Sequence, residues 1–395
     1  MPSNAQLARD EDYWRAIARR YDLEPGPINL ENGYFGRMSR AVVEEYQRQI
    51  DFVNRSNSVH VRQHFEQIGN GQIRQQLAEL VGVDRQAITL TRSASEALQS
   101  LIRNYNRLQP GDQVLLSDLE YDSVKGAMRW LARHRGVEVI EIEHAHPASF
   151  DSLRASYREA FERYPRLKLM ALTHVTHRTG LVLPVQAIAL DARERGIDVI
   201  LDGAHALAQV DFELSELGVA FAGYNLQKWI GAPLSLGFVY IDPQRLADID
   251  PDMGEQRYAL DDIRSRAPYG TPNIPAWLTL PRVFEEHRGM GGSALKGARL
   301  NYLRDLWVSQ VRDLPGIEVM TPDDPRLYCG ITSFRFTRQP DQQAMAERLL
   351  QEYNLFTVAR SGSRCGPCIR VTPGFTTPSA DIQMLVEALT ELAAQ

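Results

Sequence analysis

The sequence predicts an α/β protein with a mostly parallel, doubly wound sheet, followed by a smaller α+β domain. From residue 87 onward, short apolar strand patterns alternate with amphipathic helix patterns, and glycine or proline separates them. This alternation is typical of parallel strands whose connecting helices cover both faces of the sheet. After Pro281 the pattern changes to a long helix, several short strands and a final helix, which indicates the second domain.

Each element has its own pattern in the chain. Residues 1–24 predict one amphipathic helix that Pro25 and Pro27 end, and a short strand then leads into a loop with Gly33 and Gly36. Two arginine-rich helices are predicted within 39–81. The later strands are predicted at 87–91, 110–118, 137–143, 167–175, 197–205, 220–225, 236–242, 316–320, 328–336, 355–360 and 368–373. The helices between and after them are predicted at 93–108, 123–136, 150–165, 185–196, 284–312, 344–354 and from Ser379.

These patterns divide the chain into three predicted segments. An N-terminal helix (1–27) packs on the small domain, the large domain spans 28–280, and the small domain spans 281–395. Ligands of doubly wound sheets bind at the carboxyl ends of the strands. Polar residues cluster where the predicted strands end, at Ser93–Glu96, Glu120–Ser123, Thr176–Thr179, Asp202–His205 and Asn225–Lys228.

Composition limits the class of protein. The 395 residues carry a net charge of −6, 44% of them are apolar, and no basic block or aromatic-basic stripe is present. These values are ordinary for a soluble globular protein and argue against a nucleic-acid partner. The polar first residues, the lack of a membrane-length apolar run and three cysteines lead us to expect a cytoplasmic protein without a secretory signal, a membrane span or a disulfide framework.

Lys228 is the first candidate for a reactive group. It lies in the nearly uncharged stretch from Ala220 to Ile241. A desolvated amine has a lowered pKa and becomes a usable nucleophile, whereas a lysine that extends from a loop into solvent is the alternative. We expect the other three lysines of the chain to be solvated surface charges; they are Lys125, Lys168 and Lys296.

Three further features could bind charged groups. The turn Arg92–Glu96 offers backbone N–H groups and serine hydroxyls at a helix start, which suits a phosphate, although an ordinary helix cap has the same pattern. Asp202 ends a buried strand and needs a cation or a donor, either a pyridinium N–H or a metal, unless it caps the next helix. Arg370, between apolar strand residues, could bind a carboxylate or lie in solvent.

An amine, a lone carboxylate, a phosphate site and a carboxylate-binding arginine are together what pyridoxal phosphate requires. Over residues 28–385 the chain also resembles the aminotransferase class V family, which includes cysteine desulfurases, kynureninases and isopenicillin N epimerase-like enzymes. Asp202–His205 (DGAH) is similar to the family's D-x-A-H/Q, Asn225–Lys228 (NLQK) to S-x-H-K, and Ala94–Glu96 to A-T-E. The segments NLQKWIGAP and IRVTPGFTTP resemble the isopenicillin N epimerase-like branch most.

The resemblance implies a fold-type I transferase that depends on pyridoxal phosphate, with a seven-stranded sheet in its large domain. It implies that Lys228 holds the cofactor as a Schiff base, that Asp202 pairs with the pyridine nitrogen, and that His205 lies near the phenolic oxygen. Tyr121, where the family has histidine, would stack on the ring. The implied catalytic residues are Lys228, Asp202, His205 and Tyr121.

The resemblance also implies the remaining contacts to the cofactor. Asn225 and Gln227 replace the usual serine and histidine, and His177 replaces an asparagine. Thr271, in a GTPN loop, would reach the phosphate of a neighbouring subunit, which implies a homodimer with its active site at the interface. The implied cofactor-binding residues are Ser93, Ala94, Ser95, Tyr121, Thr176, His177, Asp202, His205, Asn225, Gln227, Lys228 and Thr271.

The predicted substrate is an amino acid or an amino-acid-containing metabolite. Arg370 would bind its carboxylate, with Asn32, Tyr34 and Arg360 in the same subsite. Arginines near the predicted pocket indicate a carboxylated substrate; they are Arg62, Arg178, Arg264 and Arg360. The predicted activity is that of an aminotransferase or epimerase that acts at Cα, without a metal, a nucleic acid or a membrane.

Several alternatives remain open. Arg360–Cys365 matches R-x-G-x-x-C, which carries the nucleophile of desulfurases, so a carbon–sulfur lyase using Cys365 is one alternative. Cys365–Cys368 spells a thioredoxin-like C-x-x-C, which leaves a reversible disulfide open, although a strand follows it instead of a helix. His174 and His177 have a metal-ligand spacing for a helix, but a strand precedes them. A cofactor-binding protein without activity is another alternative, and a nucleotide-binding protein lacks its Gly-rich fingerprint.

Overall fold

A computed structural model describes residues 2–268 and 270–395 and confirms the α/β architecture. The strands are β1 (Ile28–Asn29), β2 (Ile88–Thr91), β3 (Gln113–Ser117), β4 (Glu138–Ile142), β5 (Leu167–Thr173), β6 (Asp198–Asp202), β7 (Phe221–Asn225), β8 (Gly237–Ile241), β9 (Ile317–Val319), β10 (Thr332–Phe336), β11 (Leu355–Phe356), β12 (Val358–Arg360) and β13 (Cys368–Val371). The α-helices are α1 (Asn4–Ala8), α2 (Glu11–Ala18), α3 (Arg40–Arg55), α4 (Ser58–Phe65), α5 (Arg74–Val81), α6 (Ala94–Asn104), α7 (Asp122–Arg135), α8 (Phe150–Arg163), α9 (Val185–Arg193), α10 (Ile274–Leu278), α11 (Leu280–Gly289), α12 (Gly292–Val311), α13 (Gln342–Tyr353) and α14 (Ser379–Ala394).

The large sheet is seven-stranded, in the order β2-β8-β7-β6-β5-β3-β4. Its strands pair in parallel except for β8, which runs antiparallel to both of its neighbours. Most of these strands read as short, nearly continuous apolar runs because helices cover both faces of the sheet. The register aligns Thr173 with Asp202 and Asp202 with Gly223, which brings the carboxyl ends of β5, β6 and β7 to one edge.

The smaller C-terminal domain contains an antiparallel sheet in the order β12-β13-β10-β9. Its core holds Trp307 of α12, Phe334 of β10 and Leu389 of α14, each fully buried. Strand β1 pairs in parallel with β11, through Ile28 and Leu355. The segment that precedes the large sheet therefore runs along the C-terminal domain before it reaches the large domain.

Two helices that the sequence predicts as continuous are broken. The predicted helix at 1–24 is the pair α1 and α2, because Asp10 caps α2 by accepting a hydrogen bond from the Tyr13 N–H at 3.0 Å. The predicted helix at 284–312 is the pair α11 and α12. Gly291 and Gly292 lie between them with φ of 86° and 67°, a left-handed conformation that interrupts an α-helix.

The N-terminal helices pack on the C-terminal part of the chain. Trp14 of α2 is buried, and its ring centroid lies 6.1 Å from that of Phe375. Arg299 of α12 is also buried and donates to the Glu11 carboxylate at 2.6 Å. Residues 39–81 form α3, α4 and α5, with a π-helical turn at Glu66–Ile73 between α4 and α5. None of the helices in the described ranges is long and apolar enough to cross a membrane.

The expectation that three lysines are surface charges is wrong for two of them. Lys168 is exposed. Lys125 is buried, and its Nζ donates to the Asp118 carbonyl at 2.6 Å and to Glu141 at 3.2 Å. Lys296 is fully buried, with its Nζ 4.7 Å from the centroid of the Phe375 ring. Both have partners that are distant in sequence, so the local pattern could not show their burial.

Candidate active site

A cavity of about 140 Å³ opens at the carboxyl ends of β5, β6 and β7. It is the place where the polar clusters after the predicted strands meet. Most of the predicted site residues line it, while Thr176, Thr271, Asn32, Arg360 and Arg370 do not. The predicted residues that line the cavity are Tyr34, Ser93, Ala94, Ser95, Tyr121, His177, Asp202, His205, Asn225, Gln227 and Lys228.

Lys228 follows β7 and extends into this cavity. The backbone around it is held by the N-terminal glycine loop, because the Gly36 N–H donates to the Gln227 carbonyl at 2.8 Å. The approach requires glycine, since a Cβ at residue 36 would lie 1.8 Å from the Lys228 carbonyl oxygen. Burial lowers the pKa of Lys228 to about 8, against the opposing influence of the Asp202 carboxylate.

His205 bridges Lys228 and Trp229. Its Nε2 lies 2.8 Å from the Lys228 Nζ, and its Nδ1 accepts the indole N–H of Trp229 at 3.3 Å. Burial lowers the pKa of His205 well below its usual range, and the positive charge of Lys228 adds to that effect. The ring is therefore neutral, and with Nδ1 accepting, its proton lies on Nε2. The Nε2–H can then donate only to the neutral form of the Lys228 amine.

Asp202 ends β6 inside the cavity. Its Oδ1 accepts the Ala204 N–H at 2.9 Å. Burial raises its pKa, while the Ala204 N–H and the nearby Lys228 lower it. No partner for Oδ2 lies within the described ranges of the chain, and the residue lines the cavity. This oxygen is thus available to accept a hydrogen bond from a cationic N–H.

The amino end of α6 faces the same cavity. Ser93 caps the helix, because its Oγ accepts the Glu96 N–H at 3.1 Å. The Asn225 side-chain oxygen accepts the Ala94 N–H at 2.9 Å, and the Gln227 side-chain oxygen accepts the Leu236 N–H at 2.9 Å. Neither amide NH₂ group has a hydrogen-bond partner among the residues that the structure describes, so both can donate. Together with Ser95 and the helix end, they offer a set of donors that suits an anion.

Tyr121 and His177 form one wall of the cavity. Their rings meet edge to face with centroids 4.9 Å apart. Burial and then the charge of Arg178 lower the pKa of His177 to about 2, so this ring is neutral. Thr176 does not reach the cavity, because its hydroxyl lies 2.8 Å from the Thr179 hydroxyl and accepts the Leu181 N–H at 2.9 Å.

Arg178 secures this wall, a role that the sequence analysis missed. Its side chain is buried, and its Nε donates to the Ser361 carbonyl at 2.8 Å. Its Nη2 donates to Asp122 at 2.7 Å, and its Nη1 lies 3.5 Å from the Glu120 carbonyl oxygen. Arg178 thus holds both neighbours of Tyr121 and ties them to the C-terminal domain, so it is not free to bind a substrate.

The predicted substrate arginines lie together behind the cavity lining. Arg370 is buried and pairs with the Glu31 carboxylate, and its Nη1 donates to the His177 carbonyl at 2.6 Å. The Arg360 Nη2 lies 3.7 Å from Glu31 Oε1. Asn32 hydrogen-bonds to the backbone of Thr372. Glu31 was missed because its partner Arg370 is far away in sequence, although its position in the glycine loop was a usable signal.

The cysteine and histidine alternatives have these positions. Cys365 does not line the cavity, and its Sγ lies 2.9 Å from the Ser363 Oγ. Cys368 is buried in β13, and burial raises the pKa of its thiol to about 11. His174 is buried with its ring edge to face with Phe212. The described part of the chain holds no group of three or more His, Cys, Asp or Glu that could bind a metal.

At the carboxyl ends of the strands, this site combines a buried lysine, a neutral histidine and an aspartate that ends a strand. Together with the sheet, this set defines a fold-type I enzyme of the pyridoxal phosphate class. The sequence profile of "Aminotransferase class-V" matches residues 35–385. The chain therefore belongs to the aminotransferase class-V family, as its motifs predict, and pyridoxal phosphate is the cofactor of this family.

Curated relatives include isopenicillin N epimerase of Streptomyces clavuligerus, 27% identical over 97% of this chain and 99% of that protein. A probable cysteine desulfurase of Methanothermobacter thermautotrophicus is 24% identical over 81% of this chain and 82% of its own. Among solved structures, the cysteine desulfurase CsdA of Escherichia coli matches with a TM-score of 0.81 at 19% identity, covering 96% of this chain and 98% of CsdA. A C-DES variant with glycine linked to its PLP cofactor matches with a TM-score of 0.83 at 20% identity, covering 95% of this chain and 99% of that one. At these identities the structural likeness concerns the fold.

Proposed function

We propose that the protein acts at Cα of an amino acid or an amino-acid-containing metabolite, as an aminotransferase or an epimerase. The observation that carries this proposal is the contact of 2.8 Å between Lys228 and the neutral ring of His205, inside the cavity that Asp202 also lines. Isopenicillin N epimerase, the full-length relative described above, supports the same assignment. Pyridoxal phosphate, when bound, supplies an electron sink for the bonds of Cα.

The residues of the cavity fit this cofactor. The free Oδ2 of Asp202 suits a pyridine N–H, and the amine of Lys228 suits the carbonyl carbon. The α6 end, with Ser93, Ala94 and Ser95, and the amide groups of Asn225 and Gln227 suit the phosphate. His205, Tyr121 and His177 would enclose the ring. The donors and acceptors left open by the protein are thus the ones that this cofactor needs.

Lys228 and His205 handle the proton. Because its pKa of about 8 lies close to neutral pH, the Lys228 amine can both accept and release a proton, so it suits removal and return of the Cα proton. His205 stays neutral throughout, because Trp229 and burial keep its proton on Nε2. Its role is to hold the amine in place and to favour the uncharged form of the amine.

A homodimer is part of the proposal. Thr271 does not line the Lys228 cavity of its own chain; it lines a separate surface cavity of about 740 Å³ with Arg62, Phe65 and Pro272. Two aromatic side chains that line the Lys228 cavity are exposed, Tyr34 at 75% and Tyr121 at 44%. Exposed apolar patches mark contact sites. A second copy that covers them would bring its Thr271 to the phosphate site.

The proposed setting follows the sequence analysis. The substrate is a small amino-acid-type molecule, and the location is the cytoplasm. Residues 1–27 form the N-terminal helical segment that packs on the small domain, 28–280 form the large domain, and 281–395 form the small domain. The three cysteines are free, which fits a reducing compartment.

The test is the visible spectrum of the purified protein, followed by borohydride reduction and mapping of the labelled lysine. We expect a yellow protein labelled at Lys228, and no borohydride-stable label at residue 228 in Lys228→Ala. Amino acids added one at a time should then shift the absorbance, and loss of deuterium from Cα would identify the bond that breaks. A protein that refuses added pyridoxal phosphate would overturn the proposal.

Cleavage of a carbon–sulfur bond is the second candidate, because several relatives are named as probable cysteine desulfurases. It requires Cys365, which lies outside the cavity lining in contact with Ser363. Under this alternative, Cys365→Ala would retain the cofactor and lose the release of sulfur from cysteine. If Cys365→Ala turned over its substrate at the wild-type rate, the result would favour an aminotransferase or epimerase that acts at Cα.

A further inference from the structure

Another cavity lies at the edge of the seven-stranded sheet that is opposite to the Lys228 cavity. It is formed where β5, β6 and β7 begin, and its lining includes Lys168 of β5, Asp198 of β6 and Ala220, which precedes β7. Its volume is about 620 Å³, within the range of about 300–1,000 Å³ that small-molecule sites occupy. None of the described residues that line it also lines the Lys228 cavity, so the two cavities are separate.

One part of this lining is an ion network that is complete without a ligand. Asp198 accepts the Tyr105 hydroxyl at 2.5 Å, and its two oxygens accept both Nη groups of Arg245 at 2.9 and 2.6 Å. The Arg245 Nε also donates to Asp248. The charges of Asp198 and Arg245 therefore neutralise each other, and both carboxylate oxygens of Asp198 are in use.

The other donors of the lining have no partner. Lys168 and Arg193 are exposed, and neither side chain forms an ion pair or a hydrogen bond with the residues that the structure describes. The hydroxyls of Ser215 and Tyr240 have no partner within the described ranges either. Burial, followed by the charge of Asp242, raises the pKa of Tyr240 to about 12, so its hydroxyl keeps its proton. The cavity thus offers four side chains that can donate to a ligand.

The lining also has an excess of positive charge. Among the described residues it holds four cationic and two anionic side chains, which are Arg107, Lys168, Arg193 and Arg245 against Asp198 and Asp242. Asp242 is partly engaged, because it accepts the Gln244 N–H at 3.0 Å. The chain as a whole has a net charge of −6, so its composition does not explain a local surplus of two positive charges. A phosphate monoester carries about −1.5 to −2 at neutral pH, which matches this surplus.

The wall between the charged groups is apolar and aromatic. Ile197, Val199 and Val219 are buried and line the cavity, together with Tyr105 and Tyr240. Such a wall can pack against an organic body, and aromatic side chains supply a large contact area for it. An inorganic anion would use the cations and leave this wall without a contact. The lining therefore suits an anion that is attached to an apolar group.

We propose that this cavity is a second, non-catalytic binding site for a phosphate monoester with an aromatic body, such as a mononucleotide. Lys168 and Arg193 bind the phosphate, to which a guanidinium and an ammonium are both suited. The hydroxyls of Ser215 and Tyr240 donate further hydrogen bonds, and the aromatic body packs on the apolar wall. The inference goes beyond the proposed function, because a ligand at this edge of the sheet does not enter the Lys228 cavity.

Calorimetric titration of the holoprotein with AMP, adenosine and inorganic phosphate tests this assignment. Gel filtration first removes excess pyridoxal phosphate, which is itself an aromatic phosphate monoester. We expect saturable binding of one AMP per chain. Adenosine, which lacks the charge, and inorganic phosphate, which lacks the aromatic body, should bind more weakly. Lys168→Gln and Arg193→Gln should each weaken AMP binding by about tenfold, because each removes a charge-assisted hydrogen bond to the phosphate.

Arg133→Gln is the matched control. Arg133, like Arg193, is an exposed arginine in the last turn of a helix, but it does not line the cavity, so its replacement should leave the dissociation constant of AMP unchanged. All three variants change exposed side chains and should unfold at the wild-type temperature, so a weaker affinity reports the site.

Three results would overturn the inference. The first is a holoprotein that shows no saturable binding of AMP. The second is an affinity for AMP that is the same in Lys168→Gln and Arg193→Gln as in wild type, which would place the nucleotide elsewhere. The third is adenosine or inorganic phosphate that binds as tightly as AMP, because the ligand would then need only one of the two features that the lining offers.

Discussion

The Nε2 atom of His205 lies 2.8 Å from the Nζ atom of Lys228, and Trp229 decides which of them carries the proton. An ammonium at Lys228 would need Nε2 as an acceptor and would move the ring proton to Nδ1, where it would oppose the indole N–H of Trp229. The indole therefore favours the neutral amine. This coupling extends the proton control of the site to a residue that does not line the cavity.

Trp229→Phe removes the indole N–H and should raise the pKa of Lys228 above its value of about 8. Labelling of Lys228 by pyridoxal phosphate and borohydride, followed over a range of pH from about 6 to about 10, should then become several-fold slower near neutrality and recover at high pH. Trp277→Phe is the control, because the Trp277 Nε1 is buried without a partner among the described residues. An unchanged pH profile in Trp229→Phe would refute the coupling.

Lys296 should destabilise the protein in a pH-dependent way. Burial lowers its pKa from 10.5 to about 7, while Glu286 opposes this shift. Between these two values the unfolded chain binds one more proton than the folded chain does, so the free energy of unfolding rises with pH across this window. Lys296→Met should therefore stabilise the protein by about 2–4 kcal/mol near neutral pH and by little near pH 10.5.

Thermal or denaturant unfolding at several pH values measures this effect. Lys168→Met, at an exposed lysine, is the matched control and should change stability by less than about 0.5 kcal/mol. A Lys296→Met variant that is less stable than wild type at neutral pH would show that the contact of the ammonium with Phe375 outweighs the cost of burying it.

Gly36→Ala should disturb the backbone that carries Lys228. The new Cβ would lie 1.8 Å from the Lys228 carbonyl oxygen. Either the loop that contains residue 36 or the backbone of Lys228 therefore has to move. We expect a loss of about 2–4 kcal/mol of stability and a marked loss of cofactor affinity, measured by unfolding and by fluorescence titration with pyridoxal phosphate. Gly26→Ala has open space around its Cβ and should leave both quantities unchanged. Equal behaviour of the two variants would contradict the close approach.

Arg178→Lys should loosen the wall that contains Tyr121. Lysine keeps the charge but cannot bond to Ser361 and Asp122 at once with a planar fork. We expect a loss of about 2–3 kcal/mol of stability and faster proteolysis of the loop around Ser361. Arg326→Lys, in an exposed pair with Asp324, is the control and should be nearly neutral. If Arg178→Lys resisted proteolysis as well as wild type does, Arg178 would not be what holds this wall to the C-terminal domain.

Local sequence patterns predicted the large sheet and the edge of it at which the site lies. The alternation of strands and helices gave the sheet, and the polar residues after each strand gave the edge at which Lys228, Asp202 and Ser93 meet. The uncharged neighbourhood of Lys228 was also a sound signal. Burial of Lys125 and Lys296 was not predictable in this way, because Glu141 and Phe375 approach them only in the folded chain.

The pairing of Glu31 with Arg370 shows the same limit for the site. The sequence identified Arg370 as a receptor for a carboxylate, and that chemistry is present, but the carboxylate comes from a residue 339 positions away. Only the pairing of β1 with β11 and the bridge between Glu31 and Thr372 bring the two together. Roles that depend on such long-range pairs require coordinates.

The path of the first strand has a consequence for the order in which the protein matures during synthesis. Leu30 hydrogen-bonds to Phe356 and Thr372, and the loop that follows it then lies on Arg370 and Lys228. The first strand can therefore pair only after β11 and Thr372, its partners near the end of the chain, have been synthesised. A nascent chain that stops before Val371 contains every strand of the large sheet, but the loop that carries Tyr34 to the cavity lacks its support, so cofactor capture should be a late, post-translational event.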